Sequence, residues 1–194
     1  MTSPFRLFSK AVDSCDFAEW NCWYARYLQE SDEAVMILPS LDLSGVDLTG
    51  ALMRNFDLTG SDFSSAVLVN ADLTGSTLDE AVFRHAVLIS GNLSGSYAAY
   101  ADFSGADLTC ANLSGTDLTS AVLRDAILAR CYAQRVVLTD VDLSGADLRG
   151  MYARMADCTR AKFRDARVSG ATFSAADLTG ADLTGADFTG ALDS

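Results

Sequence analysis

ADLTGADLTGADFTG, residues 176–190, is one five-residue phrase written three times. Traced backward, the same frame holds without insertion to residue 41, where LDLSG, VDLTG, ALMRN, FDLTG and SDFSS open the array. The third position of each unit is Leu, Phe, Met, Val, Ala or Cys, and the first is usually Ala or another small residue. Asp is frequent at the second position, Thr or Ser at the fourth and Gly at the fifth. A period of five fits neither the 3.6 of a helix nor the 2 of a flat strand. The backbone must therefore turn every five residues and point the third side chain inward each time. Gly at the fifth position suits a turn that needs positive φ. Thr or Ser at the fourth can bond locally to the backbone.

The phenylalanines set the length of a circuit. Phe63, Phe83, Phe103 and Phe163 are separated by multiples of twenty. With four units per coil, Phe63, Phe83 and Phe103 stack in one interior column. A second column then reads Leu48, Leu68, Leu88, Leu108, Leu128, Leu148, Val168 and Phe188. ADLTG, ANLSG and ADFSG match the A(D/N)LXX motif directly, and the chain resembles the pentapeptide repeat family over about three quarters of its length. The resemblance implies an all-β fold, a right-handed quadrilateral parallel β-helix with one unit per side. About 7.5 coils of twenty residues, at roughly 4.8 Å each, give a rod of about 36 Å.

Composition bounds the class. The chain has 194 residues, 49% of them apolar, with mean hydropathy +0.17, enough for one cored domain. Net charge is -12, which argues against direct nucleic-acid binding by phosphate neutralisation and permits a partner with a basic surface. No run approaches the ~20 apolar residues of a membrane span. MTSPFRLFSKAVDS, residues 1–14, has no apolar stretch of signal-peptide length. Five cysteines, Cys15, Cys22, Cys110, Cys131 and Cys158, are odd in number and dispersed, the pattern of free thiols in a reducing compartment. A cytoplasmic protein is expected.

The ends differ from the array. Residues 1–40 form an N-terminal cap and 41–194 the β-helix. Asp16 and Glu19 read as a capping box. Phe17, Trp20, Tyr24 and Tyr27/Leu28 follow at helical spacing, so a helix over 17–30 is expected to lay aromatic side chains on the open first coil. CDFAE, WNCWY and ARYLQ can alternatively be read as three irregular pentapeptides. Both readings make Trp20, Trp23 and Tyr24 core residues. Pro39 sits at the junction, where it can shape entry to the first strand. Beyond 190 there is no helical cover, which leaves either a frayed last coil or a homodimer paired through it.

Catalytic chemistry is absent from the motifs. His85 is the one histidine and falls on an outward turn. No nucleophile elbow, phosphate loop or zinc-ligand spacing is present. Neither an enzyme, a metal nor a cofactor is expected. Acidic residues recur on shared faces: Asp42, Asp62, Asp102, Asp142 and Asp182 on one, and Asp47, Asp107, Asp147 and Asp187 on the next. Such ladders could imitate DNA phosphates, a strategy the family resemblance implies; the motif itself also prescribes Asp there for solubility.

The departures from the motif are more informative. SYAAY, CYAQR and MYARM put Tyr-Ala in the middle of the unit at 96–100, 131–135 and 151–155. Large Cys131 and Met151 beside small Ala133 and Ala153 suggest volume exchange in the core. Tyr132 and Tyr152, twenty apart, are expected to be stacked neighbours, joined by Gln134, Arg135, Arg154 and Met155. Residues 41–123 hold ten acids and two bases, 124–167 six acids and nine bases, and 168–194 four acids and no base. A basic belt therefore interrupts an acidic rod. Tyr and Arg are common interface anchors. Two readings follow. One is a non-catalytic rigid scaffold that docks a protein partner through Tyr132, Arg135, Tyr152, Arg154 and Met155. The other, from the resemblance, is a DNA-mimicking regulator of a type II topoisomerase, DNA gyrase, as in the quinolone-resistance branch.

Overall fold

A computed structural model describes residues 4–14, 16–30 and 36–191. Cys15, residues 31–35 and 192–194 lie outside the described set, as do the side chains of 4–7 and 28–30, Leu28 among them. The array is built of short bridges, all parallel and all between residues twenty apart. Four consecutive units therefore make one turn. Wall I carries the units beginning at 41, 61 and so on, wall II those at 46, wall III those at 51 and wall IV those at 36 and 56.

The five positions of a unit account for its backbone. The first N–H donates to the third carbonyl three residues back, as from Ala71 to Leu68 at 3.1 Å. The second donates one coil back, Asp72 to Ala51 at 2.9 Å. The third and fifth donate one coil forward, Leu68 to Val87 at 2.7 Å and Asn70 to Ile89 at 3.1 Å. The fourth has no backbone acceptor among the described residues. A second-position Asp supplies one, as when Ser104 N–H donates to Asp102 Oδ1 at 2.9 Å. Every fifth residue from 40 to 190 has positive φ, thirteen as Gly and eighteen as other residues. The motif is thus a solution to donor and acceptor pairing at a left-handed corner.

Inside, the third-position column of wall I stacks Phe63, Phe83 and Phe103 with centroids 4.6 Å apart and rings parallel. Cys131, Ala133, Met151 and Ala153 are all buried on wall III, so volume moves between first and third positions within a unit. Burial pushes the Cys131 and Cys158 thiols up to about 12, so both are inert core fillers.

Two helices precede the coils, α1, Pro4–Ser14, and α2, Ala18–Glu30. The sequence predicts one helix over 17–30; α1 is additional and buries Phe8 and Ala11. The expected capping box is only half formed. Asp16 Oδ1 accepts the Ala18 N–H at 3.0 Å, while Glu19 turns away to Lys10 of α1 at 2.6 Å. The boundary at 41 also moves. β1, Met36–Ile37, pairs in parallel with β2, Phe56–Asp57, and Ser40 has φ 57, so MILPS at 36–40 is already a unit. Pro39 lies in its turn.

α2 serves as a lid for wall III. Trp20 Nε1 donates to Leu52 O at 2.7 Å, Asn21 Nδ2 to Gly50 O at 2.8 Å, and Leu52 N–H to Asn21 Oδ1 at 2.9 Å. Tyr24 O–H donates to Arg54 O. These side chains replace the preceding coil that the edge lacks. Beneath them, Phe8, Trp20 and Tyr24 meet Phe56 edge-on at 5.2–5.9 Å. At the far end Phe163, Phe173 and Phe188 pack with centroids about 6 Å apart, while Leu183 stays 41% exposed.

Candidate functional site

The second position decides what each wall shows to solvent. On wall I it reads Asp42, Asp62, Val82, Asp102, Val122, Asp142, Lys162, Asp182 in bridge order. On wall II no two Asp are neighbours: Val67 and Val87 separate Asp47 from Asp107, Ile127 precedes Asp147, and Arg167 precedes Asp187. The nominated aspartates share their walls, but only Asp42 and Asp62 are direct neighbours. All nine bind the N–H two residues on. Arginines of the preceding coil hold three more of their oxygens, Arg84 on Asp102, Arg124 on Asp142 and Arg164 on Asp182, at 2.5–2.7 Å. Arg149 holds Asp147 at 2.5 Å. The ladders are therefore turn-forming carboxylates, four of the nine neutralised by ion pairs.

Wall III differs. From 91 to 175 its units are GNLSG, ANLSG, CYAQR, MYARM and ATFSA, with no carboxylate and two arginines. Tyr132 and Tyr152 bridge directly, and their rings stack at 5.6 Å and 11°. They are 54% and 50% exposed, and Met155 is 47% exposed. At these two units no Asp is available for the fourth amide, and Gln134 and Arg154 N–H have no protein acceptor among the described residues. Each forfeited bond costs about 1 kcal/mol. Of the nine bases at 124–167, six pair with aspartates, and Arg130, Arg135 and Arg154 pair with none among the described residues. Tyr132, Gln134, Arg135, Tyr152, Arg154 and Met155 thus form one exposed aromatic and cationic patch.

Tyr97 and Tyr100, 57% and 65% exposed, belong to wall IV and its corner and stay apart from this patch. Sequence reasoning passed over Asn92 and Asn112, which precede Tyr132 on wall III and line a shallow open depression with Cys110, Ser114, Tyr132 and Gln134. Their spacing of twenty was the available signal. His85 is exposed on its corner as expected. Among the described residues no group of three His, Cys, Asp or Glu is arranged to hold a metal ion.

A sequence model described as pentapeptide repeats matches in eight copies, over residues 42–79, 66–98, 92–125, 116–150 and 156–192. The chain is a pentapeptide repeat protein. Its family implies a quadrilateral β-helix, in keeping with the twenty-residue bridge spacing. Among solved structures, a trypsin-treated form of QnrB1, a plasmid-mediated fluoroquinolone resistance protein, is 21% identical with a TM-score of 0.70. That alignment covers 80% of this pentapeptide repeat protein and 84% of QnrB1. A second treated form is 22% identical over 81% and 82% of the two chains, with a TM-score of 0.54. HetL, involved in heterocyst differentiation regulation in the cyanobacterium Nostoc, is 30% identical over 82% of this chain and 86% of its own, with a TM-score of 0.33. At these identities the QnrB1 likeness speaks for the fold alone. No curated protein matches. Among the described residues no helix is long and apolar enough to cross a membrane.

Proposed function

We propose that this pentapeptide repeat protein is a non-catalytic, rigid interaction scaffold, acting in the cytoplasm, whose wall III docks a protein partner through Tyr132, Arg135, Tyr152, Arg154 and Met155. The observation that carries the reading is the exposed Tyr132–Tyr152 stack. Two half-exposed aromatics replace the aspartates that would complete their turns, beside arginines with no ion-pair partner among the described residues. Such residues contribute most when a partner excludes water from them. The test is the affinity of the co-purifying partner for Tyr132→Ala/Tyr152→Ala. A tenfold or greater loss with an unchanged thermal melt is expected; unchanged affinity overturns the assignment.

Regulation of DNA gyrase by DNA mimicry is the second reading, prompted by the acidity of the chain and its fold likeness to QnrB1. The interruption of the ladders and the ion-pairing of four of the nine aspartates favour it less. Absence of any effect on gyrase supercoiling or quinolone inhibition at high micromolar protein eliminates it. We also propose a homodimer through the last coil. Support comes from half-exposed Leu183 and from the N–H groups of Leu178, Leu183 and Phe188, which find no acceptor among the described residues.

A further inference from the structure

Asp and Asn are interchangeable as turn formers here, but they present opposite chemistry outward. In each, Oδ1 accepts the N–H two residues on: Ser94 donates to Asn92 and Ser114 to Asn112, both at 3.1 Å. The other terminal atom faces outward beside the fourth residue of the preceding coil. In Asp72, Asp102, Asp142 and Asp182 that atom is Oδ2, and an arginine there donates to it. In Asn92 and Asn112 it is Nδ2, a donor, and it makes no hydrogen bond among the described residues. Below them on the same wall come the Tyr132 and Tyr152 hydroxyls and, without a partner among the described residues, the amides of Gln134 and Arg154 and the guanidinium groups of Arg135 and Arg154. Arg130 flanks the wall at its corner with wall II, likewise unpaired. Wall III from 91 to 155 is therefore a strip of donors without a carboxylate, on a chain of net charge -12.

From this we infer that wall III recognises an acidic segment of its protein partner, with partner carboxylates received by the Asn92 and Asn112 amides and by Arg135 and Arg154 against the Tyr132–Tyr152 edge. The inference rests on wall III being the docking surface and adds the chemistry of what docks. Charge complementarity selects the occupant. A strip one wall wide, about three extended residues or 10 Å, accommodates a peptide segment. A broad, charge-dense polyanion would also meet Asp107 and Asp147 on wall II and Asp117 and Asp157 on wall IV. Base stacking is disfavoured as well, because the two tyrosine rings lie face to face on each other.

The test uses the full chain and a fluorescein-labelled twelve-residue peptide alternating Glu and Ser, followed by anisotropy at low salt. Binding is expected, at least tenfold tighter than that of the peptide with Gln in place of Glu. Asn92→Asp/Asn112→Asp keeps both turns and should weaken binding at least tenfold. Val82→Asp/Val122→Asp adds the same charge on wall I and should change it less than twofold. Arg135→Gln/Arg154→Gln should weaken it as well. The inference is overturned if the Glu peptide does not bind, if the asparagine variant binds it unchanged, or if a single-stranded DNA twelve-mer competes more strongly than the peptide. If Tyr132→Ala/Tyr152→Ala abolishes capture of the native partner while Asn92→Asp/Asn112→Asp leaves it intact, the scaffold reading stands and the acidic assignment falls.

Discussion

At the scale of single residues, the second-position aspartate is a turn former before it is a charge. The Ser44 hydroxyl and then its amide hold the Asp42 carboxyl below its ordinary value, Thr49 does the same for Asp47, and the Thr184 hydroxyl with Arg164 brings Asp182 to about 2. A carboxyl lowered in the folded state stabilises the fold above its ordinary pKa near 3.8, and that contribution is lost as pH falls through the lowered value. The urea midpoint should therefore hold between pH 7 and 5 and drop between about pH 4 and 2. Asp42→Asn/Asp47→Asn, which keeps both turns without a titrating group, should shrink the drop. The core column makes a second residue-scale prediction. Phe83 is fully buried between Phe63 and Phe103, so Phe83→Ala should cost about 3–5 kcal/mol in chemical unfolding. Phe83→Leu should cost clearly less. This column was legible in the sequence because Phe recurs at twenty. The donor role of Asn92 and Asn112 was not, because A(D/N)LXX treats Asn and Asp as one letter and the difference lies in the outward atom.

At the scale of elements, a β-helix has to end its ladder somewhere, and α2 ends it on wall III with side chains. Asn21 accepts from Leu52 N–H, Trp20 donates to Leu52 O and Tyr24 to Arg54 O, the bonds a preceding strand would make, and Asn21 also donates to Gly50 O. Asn21→Ala leaves Leu52 N–H and Gly50 O unsatisfied and should cost about 1–3 kcal/mol. Amide exchange should accelerate in the units at 51–60 and stay unchanged near Phe163, because each coil contacts only its neighbours. The aromatic spacing of α2 was readable, since Trp20 and Tyr24 are one helical turn apart. α1 was not, because its buried set is short and Lys10, which takes Glu19 from the capping box, acts across two helices. MILPS is not legible as a unit for a simpler reason: Pro39 and Ser40 hide the motif letters although the turn is the same.

At the scale of the whole molecule, four walls share one core but differ outside. Walls I and II carry mostly separated aspartates, four of the nine ion-paired, whereas wall III is free of carboxylates from 91 to 175. The charge belt at 124–167 was visible along the chain, but the wall was not, since its units lie fifteen residues of other walls apart. If the last coil pairs with a second copy, Leu183→Asp should convert a dimer to a monomer in gel filtration with light scattering, without lowering the thermal melt. The scaffold claim is tested most directly by calorimetric titration of the purified native partner into wild-type protein and Tyr132→Ala/Tyr152→Ala. At least a tenfold rise in Kd for the variant is predicted, and a Kd within twofold of wild type would contradict wall III as the docking surface.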